Sequence, residues 1–189
     1  VLKCGAWSQG PTFLQQLALL RGFDVAALDP VGPDFVHLVA EAAKLAFADR
    51  EAYYGDPNFV DVPLRTLLSE EYNATRRKLI GDRASLELRP GAVDGRTPWV
   101  DHDAPARAAI LDGGTSIGSG EPTVARLGAV GGDTCHVDVI DRWGNMVSAT
   151  PSGGWLQSSP VIPGLGCPLG TRGQMFWIRP DVPNGLAPN

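Results

Sequence analysis

Long hydrophobic runs are missing from this 189-residue chain, and without a run of about 18 apolar residues it holds no helix able to span a bilayer. Excess positive charge is missing too. Sixteen Lys and Arg stand against 21 Asp and Glu, for a net charge of −5 and a pI near 5.1. Nucleic acid and anionic membranes are therefore poor partners. Cysteine is scarce: Cys4, Cys135 and Cys167 are odd in number and lack metal-ligand spacing. That argues against a disulfide framework and a metal site, and leaves buried or free thiols. Val1 opens the chain without a charged-then-apolar leader, so the compartment stays open. What remains is an ordinary globular composition, 43% hydrophobic and 20% charged, long enough for one sizeable core.

The first half reads as helices. Phe13, Leu14, Leu17 and Leu20 share a stripe over 12–20, with Gly22 as a stop. Asp34 suits the N-cap of a helix over 34–54. In it Phe35, Val39, Ala42, Ala43 and Ala46 can face a core, while Glu41, Lys44, Asp49 and Arg50 face water. Ser69 is placed to cap a third helix over 69–80. Glu70 and Glu71 fall in its first turn, Arg76, Arg77 and Lys78 near its end, and Gly81 beyond it. These charge runs read as solvated faces. From about 82 to 133 periodicity fades into Asp, Pro, Gly and Ser.

A different pattern begins at Gly131-Gly-Asp-Thr-Cys-His136. A threonine hydroxyl is a poor nucleophile unless a base lies beside it. If the Asp133–Thr134 bond is cut, the freed α-amine of Thr134 can take the proton of its own hydroxyl. Such an amine has a pKa of about 8, suited to general-base work near neutral pH. The same run also suits a plain turn entering a strand. Cys135 is the alternative nucleophile, but His136 would lie on the opposite face of a regular strand from it. Val137 and Val139 alternate with His136, Asp138 and Ile140. Asp141-Arg-Trp-Gly-Asn145 reads as a turn, and Met146-Val-Ser-Ala-Thr150 as the returning strand. Antiparallel pairing would bring Thr134 and Ser152 together. Helices followed by strands indicate α+β.

Residues 132–150 resemble the start of the small subunit of γ-glutamyltranspeptidases, in which a precursor cuts itself before a threonine followed two residues on by histidine. Glu41-Ala-Ala-Lys-Leu-Ala-Phe-Ala-Asp-Arg50 and Gly55-Asp-Pro-Asn-Phe-Val-Asp-Val-Pro63 resemble the helical end of the large subunit. The resemblance implies part of an αββα Ntn-hydrolase sandwich. It also implies an internal piece of a precursor, with 1–133 the C-terminal part of the large subunit, ending in a flexible tail over about 82–133, and 134–189 the N-terminal part of the small one. The two subunits would form a heterodimer. The implied substrate is a small γ-glutamyl or related acyl amide, with no metal or cofactor.

The same resemblance implies roles. Thr134 is the nucleophile for self-cleavage after Asp133 and then for acyl transfer. Ser152 stands where the family has a threonine bonded to the nucleophile's oxygen, and a turn serine is its other reading. His136, with Thr150 beside the site, has a supporting role. Gly154 replaces an asparagine that contacts the glutamyl group. Phe176 and Trp177 replace acidic residues, the second of which binds the substrate ammonium. An indole offers only a cation–π contact of about 1 kcal/mol, which argues against glutathione as the preferred substrate. The stretch 164–173 resembles a divergent, acylase-like branch, and its Arg172 can bind an acyl carboxylate or pack a loop. The family's carboxylate-binding arginine and oxyanion glycines fall outside the chain, so the piece alone is expected to be inactive. A non-catalytic or uncleaved relative, serving as a binding or assembly module, is the competing reading. A nucleotide site at Gly113–Gly120 lacks a phosphate-binding lysine.

Overall fold

The computed structural model describes residues 1–101, 136–150, 162–166, 176–179 and 181–186. It divides into two units, Val1–Asp101 with Trp177–Asn189, and His102–Phe176. Helices and a two-stranded sheet make the described residues α+β. None of the described helices is long and apolar enough to cross a membrane.

The first unit holds α1 (Gly10–Leu20), a 3₁₀ turn at Val25–Ala27, α2 (Pro33–Tyr53), α3 (Leu64–Leu67) and α4 (Glu70–Arg77). Leu38, Ala42, Leu45 and Ala46 recur at helical spacing along α2, and Ala42, Leu45 and Ala46 pack with Leu19 of α1. Burial of a leucine of this kind contributes roughly 1.5–3 kcal/mol. Further along, Ala52, Tyr53 and Tyr54 close over Leu67 and Val93.

Three sequence expectations need correction here. Gly32, not Asp34, is the N-cap of α2, and Pro33 begins the helix. Proline suits that first position because its missing N–H is one the helix could not use. Asp34 instead lies in the first turn, at the positive end of the helix dipole. The apolar stripe expected on α1 is not its buried face: Pro11, Thr12, Gln15 and Leu19 are buried, and Phe13 is exposed beneath the Lys3 ammonium. Most consequentially, Glu41, Asp49 and Arg76 are buried rather than solvated.

Those charges are buried because each meets partners distant in sequence. Asp49 accepts from Gln15 Nε2 at 2.6 Å, Arg76 Nη2 at 3.1 Å and the Gly91 N–H at 2.8 Å. Gln15 is thereby drawn inward, and α1 turns its polar side to the core. Burial raises the Asp49 carboxyl above its ordinary value, outweighing the opposing pull of Arg76, Gly91 and Gln15. Glu41 accepts from Lys44 at 2.6 Å, Arg89 at 2.8 Å and the Ser85 N–H at 3.2 Å. Burial raises this carboxyl too, but Lys44, Ser85 and Arg89 together hold it below its ordinary value. The two carboxylates thus tie residues 85–91 along α2, Tyr53 adds a hydrogen bond to the Gly91 carbonyl at 2.6 Å, and Val93 is buried, so the start of the expected flexible tail is packed against the helix.

Ser69 caps α4, its hydroxyl accepting from the Tyr72 N–H at 3.2 Å. Helix α4 ends at Arg77, well before Gly81. Arg77 turns back and donates to the Ala18 and Leu19 carbonyls, each at 2.8 Å. It thereby serves the carbonyls left without partners at the end of α1, whose own last turn has no basic residue. A final strap runs from Trp177 to Leu186. The Trp177 N–H donates to the Asn184 carbonyl at 3.0 Å, and the Leu186 N–H to the Trp177 carbonyl at 2.8 Å. The Pro183 carbonyl rests directly over Gly55, where a Cβ has no room.

In the second unit, β1 (Val137–Ile140) pairs antiparallel with β2 (Met146–Ala149) in the register Val137↔Ala149, Asp138↔Ser148, Val139↔Val147, Ile140↔Met146. The intervening turn follows from Asp141 and Gly144. Asp141 Oδ1 accepts from the N–H groups of Trp143 and Asn145, each at 2.9 Å, and the Gly144 N–H donates to the Asp141 carbonyl at 3.1 Å. Gly144 sits at φ +86°, the left-handed conformation that glycine adopts without strain.

Candidate active site

The hairpin has two faces because β-strand side chains alternate. Val137, Val139, Val147 and Ala149 share one. Asp138, Ile140, Met146 and Ser148 share the other, and His136 and Thr150 continue it just beyond the ladder. At its open end His136 Nδ1 lies 2.7 Å from Thr150 Oγ1, and His136 Nε2 lies 3.0 Å from Asp138 Oδ2. Both His136 and Asp138 are substantially exposed, their side chains at 53% and 65%.

Of the residues expected from sequence, the structure brings His136 and Thr150 into direct contact. Sequence reasoning gave Asp138 no role. Its signal was nonetheless available, since residues two apart on a strand point the same way. Thr134, Asp133, Ser152, Gly154, Arg172 and the alternative nucleophile Cys135 lie outside the described residues.

Trp177 belongs to the first unit. Its ring meets Trp99 edge-on, with centroids 5.7 Å apart and planes at 61°. This geometry is favourable for two aromatic quadrupoles. A shallow cleft of about 370 Å³ lies alongside, with Tyr53, Asp61, Arg96, Trp99 and Asp181 in its walls. Arg96 donates to the Asp61 carboxylate at 2.5 Å and Arg179 to the Asp181 carboxylate at 2.6 Å. Partners for the Asp61 and Asp181 carboxylates in this cleft are therefore supplied from within the chain.

The sequence model of the family described as gamma-glutamyltranspeptidase matches residues 1–189. The acylase ACY 1 proenzyme of Pseudomonas sp. (strain V22) is 36% identical over 160 residues, 84% of this chain and 23% of that protein. The glutathione hydrolase proenzyme of Bacillus subtilis subsp. natto is 32% identical over 183 residues, 96% of this chain and 28% of that protein. Among solved structures, LmbA2991T421A is 53% identical with a TM-score of 0.68, over 98% of this chain and 29% of that one. Cephalosporin acylase from Bacillus halodurans is 28% identical with a TM-score of 0.60, over 95% and 26%.

Relatives of this kind are Ntn hydrolases, and that is the class in which the fold and the hairpin fall. The chain belongs to the γ-glutamyltranspeptidase family, on its acylase-like branch. It spans about a quarter of the length of the curated relatives it matches.

Proposed function

We propose that this chain is the junction region of an N-terminal-nucleophile enzyme that cleaves γ-glutamyl or related acyl amides through a threonine acyl-enzyme. In this reading the precursor cuts itself before Thr134. Residues 1–133 then end the large subunit and 134–189 begin the small one, within a four-layer αββα sandwich. The observation that carries the reading is the hairpin register. Continued outward by the same pairing, it would set Thr134 opposite Ser152, two residues past the His136···Thr150 contact. That juxtaposition of two hydroxyls is what the chemistry needs: one attacks, the other holds the attacking oxygen. Asp133 supplies the carbonyl that is first attacked, and His136 and Thr150 support the site.

For substrate, Trp177 stands, on the resemblance, where the family has its ammonium-binding acid, and it favours an acyl group without a free ammonium. An indole packed edge-on against Trp99 offers no anion, and an unpaired buried ammonium would be costly. Gly154 and Arg172 are assigned to the acyl pocket on resemblance. An acylase among the relatives, at 36% identity, agrees with this preference.

Two measurements test the reading. Intact-mass analysis of the full-length protein should give two chains, the smaller beginning at Thr134, and Thr134→Ala should give one. A hydrolysis panel of γ-glutamyl, glutaryl and unsubstituted acyl amides should show turnover weighted away from γ-glutamyl. A single uncut wild-type chain that still turns over these amides would refute the nucleophile. A marked γ-glutamyl preference would refute the role given to Trp177.

A further inference from the structure

Self-cleavage faces a difficulty at its first step. The α-amine that serves the mature nucleophile as base does not exist while the Asp133–Thr134 peptide bond is intact, because an amide nitrogen has no basic lone pair. A different group must take the Thr134 proton during that step.

We propose that Asp138, His136 and Thr150 form a carboxylate–imidazole–hydroxyl relay that accepts this proton, with Asp138 as its positioning residue. The inference rests on the self-cleavage read above. Its geometry is that of the described hairpin. An ionised carboxylate can only accept, so the 3.0 Å contact with Asp138 Oδ2 puts the hydrogen of the neutral ring on His136 Nε2. Nδ1 is then the acceptor, and the Thr150 hydroxyl donates to it across 2.7 Å. This leaves the Thr150 oxygen free to accept from another hydroxyl as its own proton moves to Nδ1. The imidazolium so formed keeps a hydrogen bond at both nitrogens. Asp138 thereby decides which nitrogen faces Thr150, as second partners of catalytic imidazoles do elsewhere.

The Thr134 oxygen bonds to the Asp133 carbonyl carbon while its proton passes, through the Thr150 oxygen or one water, to His136 Nδ1. The carbon–nitrogen bond breaks, the proton returns to the leaving nitrogen, and an ester and a free amine result. Water then opens the ester, leaving a carboxylic acid on Asp133 and the hydroxyl on Thr134. One peptide bond is hydrolysed and the relay is regenerated. A purely structural role for the His136–Asp138 contact is small, because at 53% and 65% exposure such a contact adds little to stability.

The test follows full-length precursor made by cell-free synthesis, with processing timed by intact mass and the His136 ring read by ¹⁵N NMR. Asp138→Asn should slow cleavage by about 10², the low end for loss of a positioned acid–base group. It should also replace the single Nε2–H tautomer with a mixture, and Asp138→Glu should restore most of the rate. Asp138→Asn cleaving at the wild-type rate would overturn the relay, as would an unchanged His136 tautomer in a slowed Asp138→Asn protein. Wild-type precursor that never cuts before Thr134 would overturn the parent reading, and the relay with it. That failure is told apart because no variant is needed to see it.

Discussion

Asp49 gives the sharpest test of how this molecule is held together. Three donors converge on its buried carboxylate, from α1, from α4 and from the Gly91 N–H. Asp49→Ala removes all three acceptor contacts and leaves Arg76, only 5% exposed, without its anion. Breaking a buried pair from one side costs about 3–5 kcal/mol, because the remaining charge cannot be rehydrated. Asp49→Asn keeps the shape. Its amide oxygen can still accept from Arg76 and Gly91, and a rotated Gln15 amide can accept from its NH₂ group. Arg76 still loses its anion but keeps an acceptor, so the cost falls below that of alanine, to about 1.5–3 kcal/mol. Burial already works against the ionised form, which keeps the asparagine penalty at the low end. Urea unfolding of the full-length protein, followed by circular dichroism, should rank wild type above Asn and Asn above Ala. Equal costs for the two variants, or an alanine cost below about 1 kcal/mol, would show that the convergence does not stabilise the fold.

Glu41 should shape the acid limb of stability. Its folded-state value lies below the ordinary 4.5, so the unfolded chain binds the extra proton. Its contribution is therefore complete above about pH 4.5 and lost as pH falls through the lower folded value. Unfolding free energies measured across pH 3–6 should show a shallower acid slope in Glu41→Gln than in wild type. Gly55→Ala should unseat the strap, since the added methyl meets the Pro183 carbonyl. Overpacking of this kind costs roughly 1–3 kcal/mol, and faster hydrogen exchange at Gly185 and Leu186 would report it.

What the sequence made legible was local. The Ser69 cap, the alanine-rich face of α2 and the Asp141–Asn145 turn each depend on residues a few positions apart. The burial of Glu41 and Asp49 was not legible, because Arg89 and Arg76 stand 48 and 27 residues away from them. For the same reason α1 was read from its leucines, when Asp49 had already claimed Gln15. At the candidate site, His136 and Thr150 came from the family motif, whereas Asp138 required strand parity together with the distances in the folded hairpin. Thr134 and Ser152 rest on sequence and on the direction of the ladder.

The loop between Ile140 and Met146 acts as a counting device. Adding or deleting one residue there would rotate a whole strand by half a turn and send the imidazole and the threonine hydroxyl to opposite sides, whereas a change of two would return them to the same side. Length drift in that loop among functional relatives should accordingly come in even steps.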